Sequence, residues 1–321
     1  MCLLPENKND GTKQDEEDND TGRDGTLPPA EGRRDSLLCE HRGAVSYATD
    51  VAAALLCSVT HDSHMTDIPR AQEQLFDKRT SAREKYAALV VGQPGWGALI
   101  KHELITLASQ NTPGALGLVL RQTLYPTLLA GCGRNVVFGQ NVVLRHPHKI
   151  RIGDDVVIDD NCLVDAKGSG NRGITIGNGV FIGRNTILSC KNGDIDLGDG
   201  ANIGFNCEIF SASSVRVGRD VLIAAYCYLI GGDHDFSDPL QPILAQGRRS
   251  AGVTIGDGAW LGAGAKILDG VSVGDRAVVG AAAVVRDSIP AGAIAVGIPA
   301  KVIGQRPSTP PSGARSEQGA E

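Results

Sequence analysis

The chain has 321 residues, of which 41 are glycine, while aromatic residues make up only 4%. This composition predicts many tight turns around a core of small aliphatic side chains. The formal net charge is −6, but residues 1–35 carry ten acidic and five basic side chains, so the remainder is close to neutral. Without a broad basic face, the sequence argues against a nucleic-acid-binding protein.

Residues 1–64 precede the regularly patterned part of the chain. We interpret them as a disordered or non-native N-terminal extension, because residues 1–36 are polar and charged and cannot bury a core. Met65 is one of only two methionines and opens a fresh segment. Our hypothesis is that Met65 is the real initiator, so a protein that begins there should keep its activity.

The eight cysteines form no CxxC pair, and their spacing is not that of a zinc site or a disulfide framework. The N-terminus lacks a secretory signal, and no apolar run reaches the ~18 residues that a membrane span needs. We therefore expect a cytoplasmic protein with free thiols.

Residues 65–130 are predicted to form an α-helical cap. Residues 72–91 and 95–109 carry apolar side chains at helical spacing, and a more apolar segment at 113–131 is broken by Pro126. Weak contact with a membrane surface is one interpretation of the last segment. We favour a cap over the open end of the next domain, since solenoids must hide their terminal core.

Residues 131–304 follow a six-residue period, and residues 305–321 are predicted to be a disordered tail. A period of six suits a flat strand and a turn, repeated three times to make a triangular coil. Small residues at the corners include Cys162, Cys207 and Cys227, which we interpret as buried packing thiols. The inward aliphatic residues come in six runs: Ile152, Ile158, Val164; Ile176, Ile182, Leu188; Leu197, Ile203, Ile209; Val217, Ile223, Leu229; Ile255, Leu261, Ile267; Val273, Val279, Val285.

Three segments of this region carry a family resemblance: "ITIGNGVFIGRNTIL", "VTIGDGAWLGAGAKILDGVSVGDRAVVGAAAVV" and "DSIPAGAIAVGIPAKVIG". They resemble the hexapeptide-repeat acyltransferases, and within them the O-acetyltransferases of the maltose/galactoside and polysaccharide-modifying type. The resemblance implies an all-β main domain, a left-handed parallel β-helix, and a homotrimer with acetyl-CoA as donor and active sites between subunits. Handedness comes from the resemblance alone, because parallel crossovers are otherwise nearly always right-handed.

The longest break in the repeat lies between Leu229 and Ile255 and contains "GGDHDF". Long loops on a rigid scaffold commonly carry function, and histidine suits proton transfer at neutral pH. Family members use a histidine from such a loop, and His234 occupies the matching place. We predict His234 as general base, with Asp235 or Asp233 holding its tautomer.

The donor site is predicted along the later coils. In the family, backbone groups after two turns grip the pantetheine arm, and the matching turns here are "WLGA" and "VGAA". Relatives often carry a Thr-Lys pair before "DIP", whereas this chain has Arg286-Asp287 before "SIP". Arg306 is a further candidate for contacting CoA. The predicted CoA-binding residues are Trp260, Gly262, Ala263, Gly280, Ala281, Arg286 and Lys301.

His146 and His148 stand two residues apart and suggest metal ligands. The fold also houses the gamma-class carbonic anhydrases, which bind zinc through three histidines, but their H-x4-H spacing is missing here. We therefore expect no metal. Asp165 and Lys167 lie in another outward loop and are predicted to be solvated, with contact to the acceptor as the alternative.

These observations predict an acetyl-CoA-dependent O-acetyltransferase acting on a hydroxyl of a sugar or related small molecule. Two alternatives stay open at this point. One is an N-acetyltransferase acting on an amino-sugar, and the other is a non-catalytic β-helix scaffold that would not bind CoA.

Overall fold

The computed structural model describes residues 77–307, all within the compact unit Thr60–Glu321. The predicted extension at residues 1–64, the hypothesis about Met65 and most of the predicted tail at 305–321 therefore lie outside the described residues. Within residues 77–307, none of the helices is long and apolar enough to cross a bilayer.

The described residues begin with helices whose ends are set by capping residues. Ser81 and Glu84 form a reciprocal cap, in which each side chain accepts a hydrogen bond from the other residue's backbone N–H, at 3.3 and 3.0 Å. Gly92 adopts a φ of 72° and ends the first helical segment in the left-handed conformation. The helical elements are α1 (Ala82–Tyr86), a π-helix (Ala87–Val91), α2 (Trp96–Ser109), α3 (Gly114–Leu124) and a 3-10 turn (Tyr125–Thr127).

Buried hydrogen bonds attach these helices to the first coils of the solenoid. Arg121 is buried, and its guanidinium donates to the carbonyl oxygens of Phe138 and Ser109, both at 2.9 Å. The hydroxyl of Tyr125 donates to the Val142 carbonyl at 2.9 Å. Because buried donors are costly unless paired, these bonds fix the helices over the end of the core. The described helices agree with the helical part of the predicted fold, while residues 65–76 of the predicted cap lie outside the described residues.

Residues 131–305 form a parallel β-solenoid with three faces, which confirms the predicted all-β fold class. Each coil contributes one short strand to each face. Sheet A contains β1 (Gly131–Cys132), β4 (Ile150–Ile152), β7 (Ile174–Ile176), β10 (Asp194–Leu197), β13 (Ser214–Val217), β18 (Val253–Ile255) and β21 (Ser272–Val273). Sheet B contains β2 (Val137–Phe138), β5 (Val157–Ile158), β8 (Phe181–Ile182), β11 (Asn202–Ile203), β14 (Leu222–Ile223), β19 (Trp260–Leu261), β22 (Val278–Val279), β24 (Ala293–Val296) and the antiparallel β25 (Lys301–Gln305). Sheet C contains β3 (Val143–Arg145), β6 (Leu163–Asp165), β9 (Ile187–Cys190), β12 (Glu208–Ser211), β15 (Tyr228–Gly231), β20 (Lys266–Ile267) and β23 (Val284–Val285).

The six-residue pattern accounts for the core. All eighteen aliphatic residues of the six predicted runs are buried, and the small residues at the corners are buried with them. Cys162, Cys207 and Cys227 are free and buried at such corners, so their predicted packing role is confirmed. At each of these positions a small side chain lets the backbone turn sharply while its neighbours fill the interior.

The outer surfaces of the sheets differ in polarity. The outward row of sheet A includes the exposed polar residues Arg216 and Thr254, which are register partners. The outward row of sheet B passes through Leu222 and its register partner Trp260, whose side chains are 45% and 47% exposed. Sheet B therefore presents a half-exposed apolar stripe, whereas sheet A is suited to solvent.

The corner positions yield a stability test. Ala265 is fully buried at a corner, so Ala265→Leu should overpack the coil and lower the free energy of unfolding by about 1–3 kcal/mol. The neighbouring exposed Lys266 provides the matched control, Lys266→Leu, which should change that free energy by roughly 0.5 kcal/mol or less. Urea denaturation measures both, and equal stability of the two variants would contradict the corner assignment.

Candidate functional site

The predicted interruption is the largest loop of the described solenoid, and it leaves sheet C after β15 and returns at β18 of sheet A. Two short strands within it, β16 (Asp233–His234) and β17 (Arg248–Arg249), pair antiparallel. A 3-10 turn (Ile243–Ala245) lies between them. The sequence thus places His234 on a protruding hairpin whose base is held by the rigid coils.

Gly231 is required where this hairpin leaves the coil. A side chain there would approach Cγ2 of Val215 within 2.7 Å and the carbonyl oxygen of Phe210 within 3.0 Å. Ser250, on the returning limb, donates its hydroxyl to the Gly231 carbonyl at 2.9 Å. These contacts hold both ends of the hairpin against the corner between sheets C and A, and so position His234 relative to the solenoid.

The His234 ring is partly buried. Its Nδ1 is shielded from solvent and makes no hydrogen bond to any residue in the described range. The two flanking carboxylates are engaged elsewhere: Asp233 accepts a hydrogen bond from the His234 backbone N–H at 2.7 Å, and Asp235 accepts one from Arg249 at 2.8 Å. Within one chain neither aspartate contacts the imidazole, so an orienting role for Asp235 or Asp233 stays a prediction.

Asp235 instead braces the hairpin. Its Oδ1 accepts hydrogen bonds from the Ser237 backbone N–H at 3.0 Å and from the Arg249 guanidinium at 2.8 Å, across the base of the loop. The Ser237 backbone bond, then the Ser237 side chain, then Arg249 hold the pKa of the Asp235 carboxyl below its usual value. The carboxylate therefore stays ionised and bonded at neutral pH.

Two of the predicted donor-site residues, Ala263 and Ala281, are exposed on turns of successive coils. The turns are stacked directly, because the Ala282 N–H donates to the Ala263 carbonyl at 2.8 Å. Neither the Ala263 nor the Ala281 backbone N–H donates a hydrogen bond within the described residues. Two free donors on a surface of small side chains suit an extended amide-bearing ligand.

The glycines of these turns are needed for close stacking. A side chain at Gly262 would lie 2.6 Å from the Ala281 nitrogen, and one at Gly280 would lie 2.7 Å from Cγ1 of Val296. Trp260, on β19 just before the first turn, is half exposed on sheet B. The predicted donor residues from Trp260 to Ala281 thus lie on and beside one corner of the solenoid.

The predicted basic residues near the C-terminus share one carboxylate. Asp287 Oδ2 lies 3.4 Å from Nε of Arg286 and 3.8 Å from Nζ of Lys301. All three side chains are well exposed, so these ion pairs are weak and leave both cations accessible. Arg306 lies apart from them and donates to the Arg276 carbonyl at 3.1 Å.

The hairpin and the donor turns lie at different corners of the triangular coil. His234 is carried by the loop between sheets C and A, whereas Ala263 and Ala281 lie between sheets B and C. The structure therefore brings the predicted donor residues together with one another, but it places the predicted base on another corner of the same chain.

Sequence reasoning missed two basic side chains on the side of the solenoid that carries the hairpin. Arg248 is its register partner in the hairpin, and Lys191 lies at the corner between sheets C and A. A signal for Lys191 was available, because Lys167 and Lys191 each come two residues after the register-paired positions Asp165 and Ser189. No periodic signal existed for Arg248, because it lies inside the non-repeating loop.

His146, the first histidine of the pair at the start of the solenoid, has a structural role. The backbone N–H of His146 donates to the Val90 carbonyl at 2.8 Å, and its ring Nε2 lies 3.0 Å from the Ala88 carbonyl oxygen. These contacts dock the π-helix on the first coil. In residues 77–307, no group of three or more His, Cys, Asp or Glu side chains is placed to hold a metal ion.

The Asp235 contacts generate a titration prediction. Arg249→Gln should raise the pKa of the Asp235 carboxyl, because a cationic partner is removed, but the pKa should remain below the usual value while Ser237 still donates. The stabilisation from this carboxylate is present at neutral pH and is lost as the pH falls through its lowered pKa. Carboxyl ¹³C NMR titration measures the shift, with Arg216→Gln as control, and an unchanged pKa in Arg249→Gln would contradict the bracing role.

Comparison with protein families gives two matches within the solenoid. Residues 252–287 match the bacterial transferase hexapeptide (six repeats), and residues 195–229 match the hexapeptide repeat of succinyl-transferase. A probable acetyltransferase of Mycobacterium tuberculosis is 36% identical over 133 residues, which is 41% of this chain and 44% of that protein. The match thus spans less than half of that relative.

Solved structures with similar folds include AntD, an N-acyltransferase from Bacillus cereus in complex with dTDP and 3-hydroxybutyryl-CoA. It is 22% identical, with a TM-score of 0.42 over 62% of this chain and 91% of AntD. A galactoside acetyltransferase in complex with coenzyme A is 22% identical, with a TM-score of 0.36 over 64% of this chain and 79% of that one.

The two family matches lie within the coils that the six-residue period predicted, and the register of those coils agrees with them. The expected resemblance to the hexapeptide-repeat transferases is confirmed for these parts of the chain: two segments of the solenoid match hexapeptide-repeat models, and a probable acetyltransferase is similar over part of its length.

Proposed function

We propose that the protein is an acetyl-CoA-dependent O-acetyltransferase that acetylates a hydroxyl of a sugar or related small molecule. The observation that carries the proposal is the position of His234, on a braced hairpin at the largest interruption of the described coils. Nothing in the core requires a histidine there, and a partly buried imidazole on a rigid support suits proton transfer.

His234 would act as general base. The acceptor hydroxyl loses its proton to the imidazole while its oxygen attacks the thioester carbonyl, and the carbon–sulfur bond then breaks. The proton that His234 took is returned to the departing sulfur, so no acyl-enzyme is needed. A free backbone N–H near the thioester would stabilise the charge that develops on the carbonyl oxygen.

The donor would lie along the corner between sheets B and C. The unused N–H groups of Ala263 and Ala281 are placed to bind the amides of the pantetheine arm, and the exposed alanines allow close approach. Arg286 and Lys301 would meet the phosphates, since both cations remain accessible beside Asp287. The donor's thioester supplies the acetyl group in this proposal.

We further propose that the active site forms between subunits of a homotrimer. His234 and the donor turns occupy different corners of one chain, so a neighbouring copy offers a route to bring them together. The half-exposed apolar stripe of sheet B, with Leu222 and Trp260, suits such an interface. The buried free thiols fit a reducing compartment, and we propose a cytoplasmic location.

Replacing the base tests the reaction. His234→Ala should lower kcat by about 10²–10⁴-fold, the usual contribution of a general base, while the Kd for CoA stays within twofold. Steady-state release of CoA thiol and calorimetric titration of CoA measure the two quantities. Arg216→Ala, on the outer row of sheet A, serves as control and should leave both unchanged.

Transfer by folded His234→Ala at near wild-type rate would refute the base assignment, and failure of the wild type to bind CoA at millimolar concentration would favour a scaffold. An acceptor screen with mass detection, including amino-sugars, separates O- from N-acetylation.

Mixing subunits tests where the site forms. His234→Ala lacks the base, and Ala281→Asp blocks the donor turn with a charge. Co-refolding equal amounts should restore about a quarter of wild-type activity, because one in four neighbouring pairs in a ring pairs an intact base with an intact donor turn. A mixture no more active than its separate components would show that both parts come from one chain.

A further inference from the structure

Two lysines stand one above the other at the corner between sheets C and A. Asp165 and Ser189 are register partners on adjacent coils, and Lys167 and Lys191 each follow two residues later. The Asn192 N–H donates to the Lys167 carbonyl at 3.2 Å, which confirms that the two segments are adjacent. Both lysines are half-buried, so their ammonium groups are held at the surface of the solenoid and do not extend freely into water.

Basic residues also lie near these lysines, since the charge of Arg145 acts on Lys167 and that of Arg248 acts on Lys191. Arg145 is the register partner of Asp165 on the preceding coil, next to the helical cap. Arg248 is the register partner of His234 in the hairpin, and such partners have side chains on the same face. Four basic side chains, Arg145, Lys167, Lys191 and Arg248, therefore lie on the side of the solenoid that carries the His234 hairpin.

These basic side chains are not neutralised by the carboxylate among them. Asp165 is shared, with its oxygens 3.8 Å from Nη1 of Arg145 and 3.6 Å from Nδ1 of His146. In the described part of the chain, the ammonium groups of Lys167 and Lys191 form no hydrogen bond and no ion pair. Two half-buried cations thus lack partners in a structure whose other buried polar groups are mostly bonded.

Electrostatics agrees with this geometry. Burial lowers the pKa of the Lys191 ammonium, and the charges of Arg248 and Lys167 lower it further. Burial also lowers the pKa of Lys167, where Asp165 opposes the effect and Arg145 adds to it. Holding like charges together away from water costs free energy, which a bound anion would offset.

An apolar surface separates the lysines from the hairpin. Phe210 lies in the outward row of sheet C, as the register partner of Ser189 and Ile230. A side chain built at Gly232, two residues before His234, would lie 3.6 Å from the Phe210 ring. Cations, an aromatic ring and the proposed base thus follow one another along the corner.

We propose that Lys167 and Lys191, with Arg248, bind a phosphate group of the acceptor, while Phe210 supports its uncharged part beside His234. The acceptor class would then be a phosphorylated sugar or similar small molecule. A phosphate suits the lysine pair because it carries up to two charges and several acceptor oxygens, which adjacent ammonium groups can share. The proposal rests on the proposed acetyl transfer, because the phosphate would belong to the molecule that accepts the acetyl group. Anion binding at this site can be measured independently of transfer.

Binding of inorganic pyrophosphate, with and without saturating CoA, tests the site by calorimetry. CoA occupies the donor's own phosphate contacts, so pyrophosphate bound in its presence reports a separate site. Lys191→Gln should weaken that binding by about tenfold, as expected for one charge-assisted contact, and Lys191→Arg should restore most of it. Arg216→Gln removes one positive charge on the polar face of sheet A and should leave it unchanged.

Three results would overturn the proposal. Pyrophosphate binding that Lys191→Gln leaves unchanged would show that the lysine pair binds no phosphate. If Lys191→Gln and Arg216→Gln weakened pyrophosphate binding equally, the effect would come from the net charge of the protein and not from a local site. Loss of CoA affinity in Lys191→Gln would assign the lysine pair to the donor.

Transfer assays separate this proposal from the proposed function. Galactose and galactose 1-phosphate serve as neutral and phosphorylated acceptor probes, and Lys191→Gln should reduce kcat/KM only for the phosphorylated one. Equal losses for both probes would contradict a phosphate contact. If His234→Ala retained transfer, or CoA failed to bind, the proposed function would fall, while the pyrophosphate result would still stand or fall by itself.

Discussion

The stacking of one coil on the next is the constraint on which the rest of the molecule depends. Each strand takes its hydrogen bonds from the coil before and after it, so a coil can exist only if its neighbours keep the same register. Inward aliphatics such as Ile203 and small corner residues such as Cys207 meet that requirement every six positions. The helices, with the buried Arg121 and Tyr125, cover the N-terminal end of the stack.

Chemistry can be placed only where this constraint is relaxed. Strand residues are committed to ladder bonds and core packing, so long insertions emerge at corners, between one sheet and the next. The His234 hairpin leaves at one corner, and the turns of Ala263 and Ala281 mark another. A site that needs both corners is difficult to assemble within a single solenoid. Two copies side by side can bring the hairpin of one copy next to the donor turns of the other.

Several polar groups around these corners have no partner within the described residues. Buried backbone polar groups of the coils are bonded from strand to strand, whereas Nδ1 of His234, the N–H groups of Ala263 and Ala281, and the ammonium groups of Lys167 and Lys191 have no partner in the described residues. Polar groups that lack partners in one chain are the positions at which a ligand or a second subunit gains most.

The sequence by itself determined the coil. A six-residue period is local and repeated, so it decided which face of Ile209 points inward, why Cys227 is small, and that His234 lies outside the repeat. Only the tertiary structure decided how the loop closes: Asp235 bonds Arg249, fourteen residues away, and does not bond the adjacent histidine, and Arg248 becomes the neighbour of His234. The physical reason is that a repeat fixes each position through many equivalent neighbours, whereas a single loop is set by a few specific hydrogen bonds and charges that no period encodes.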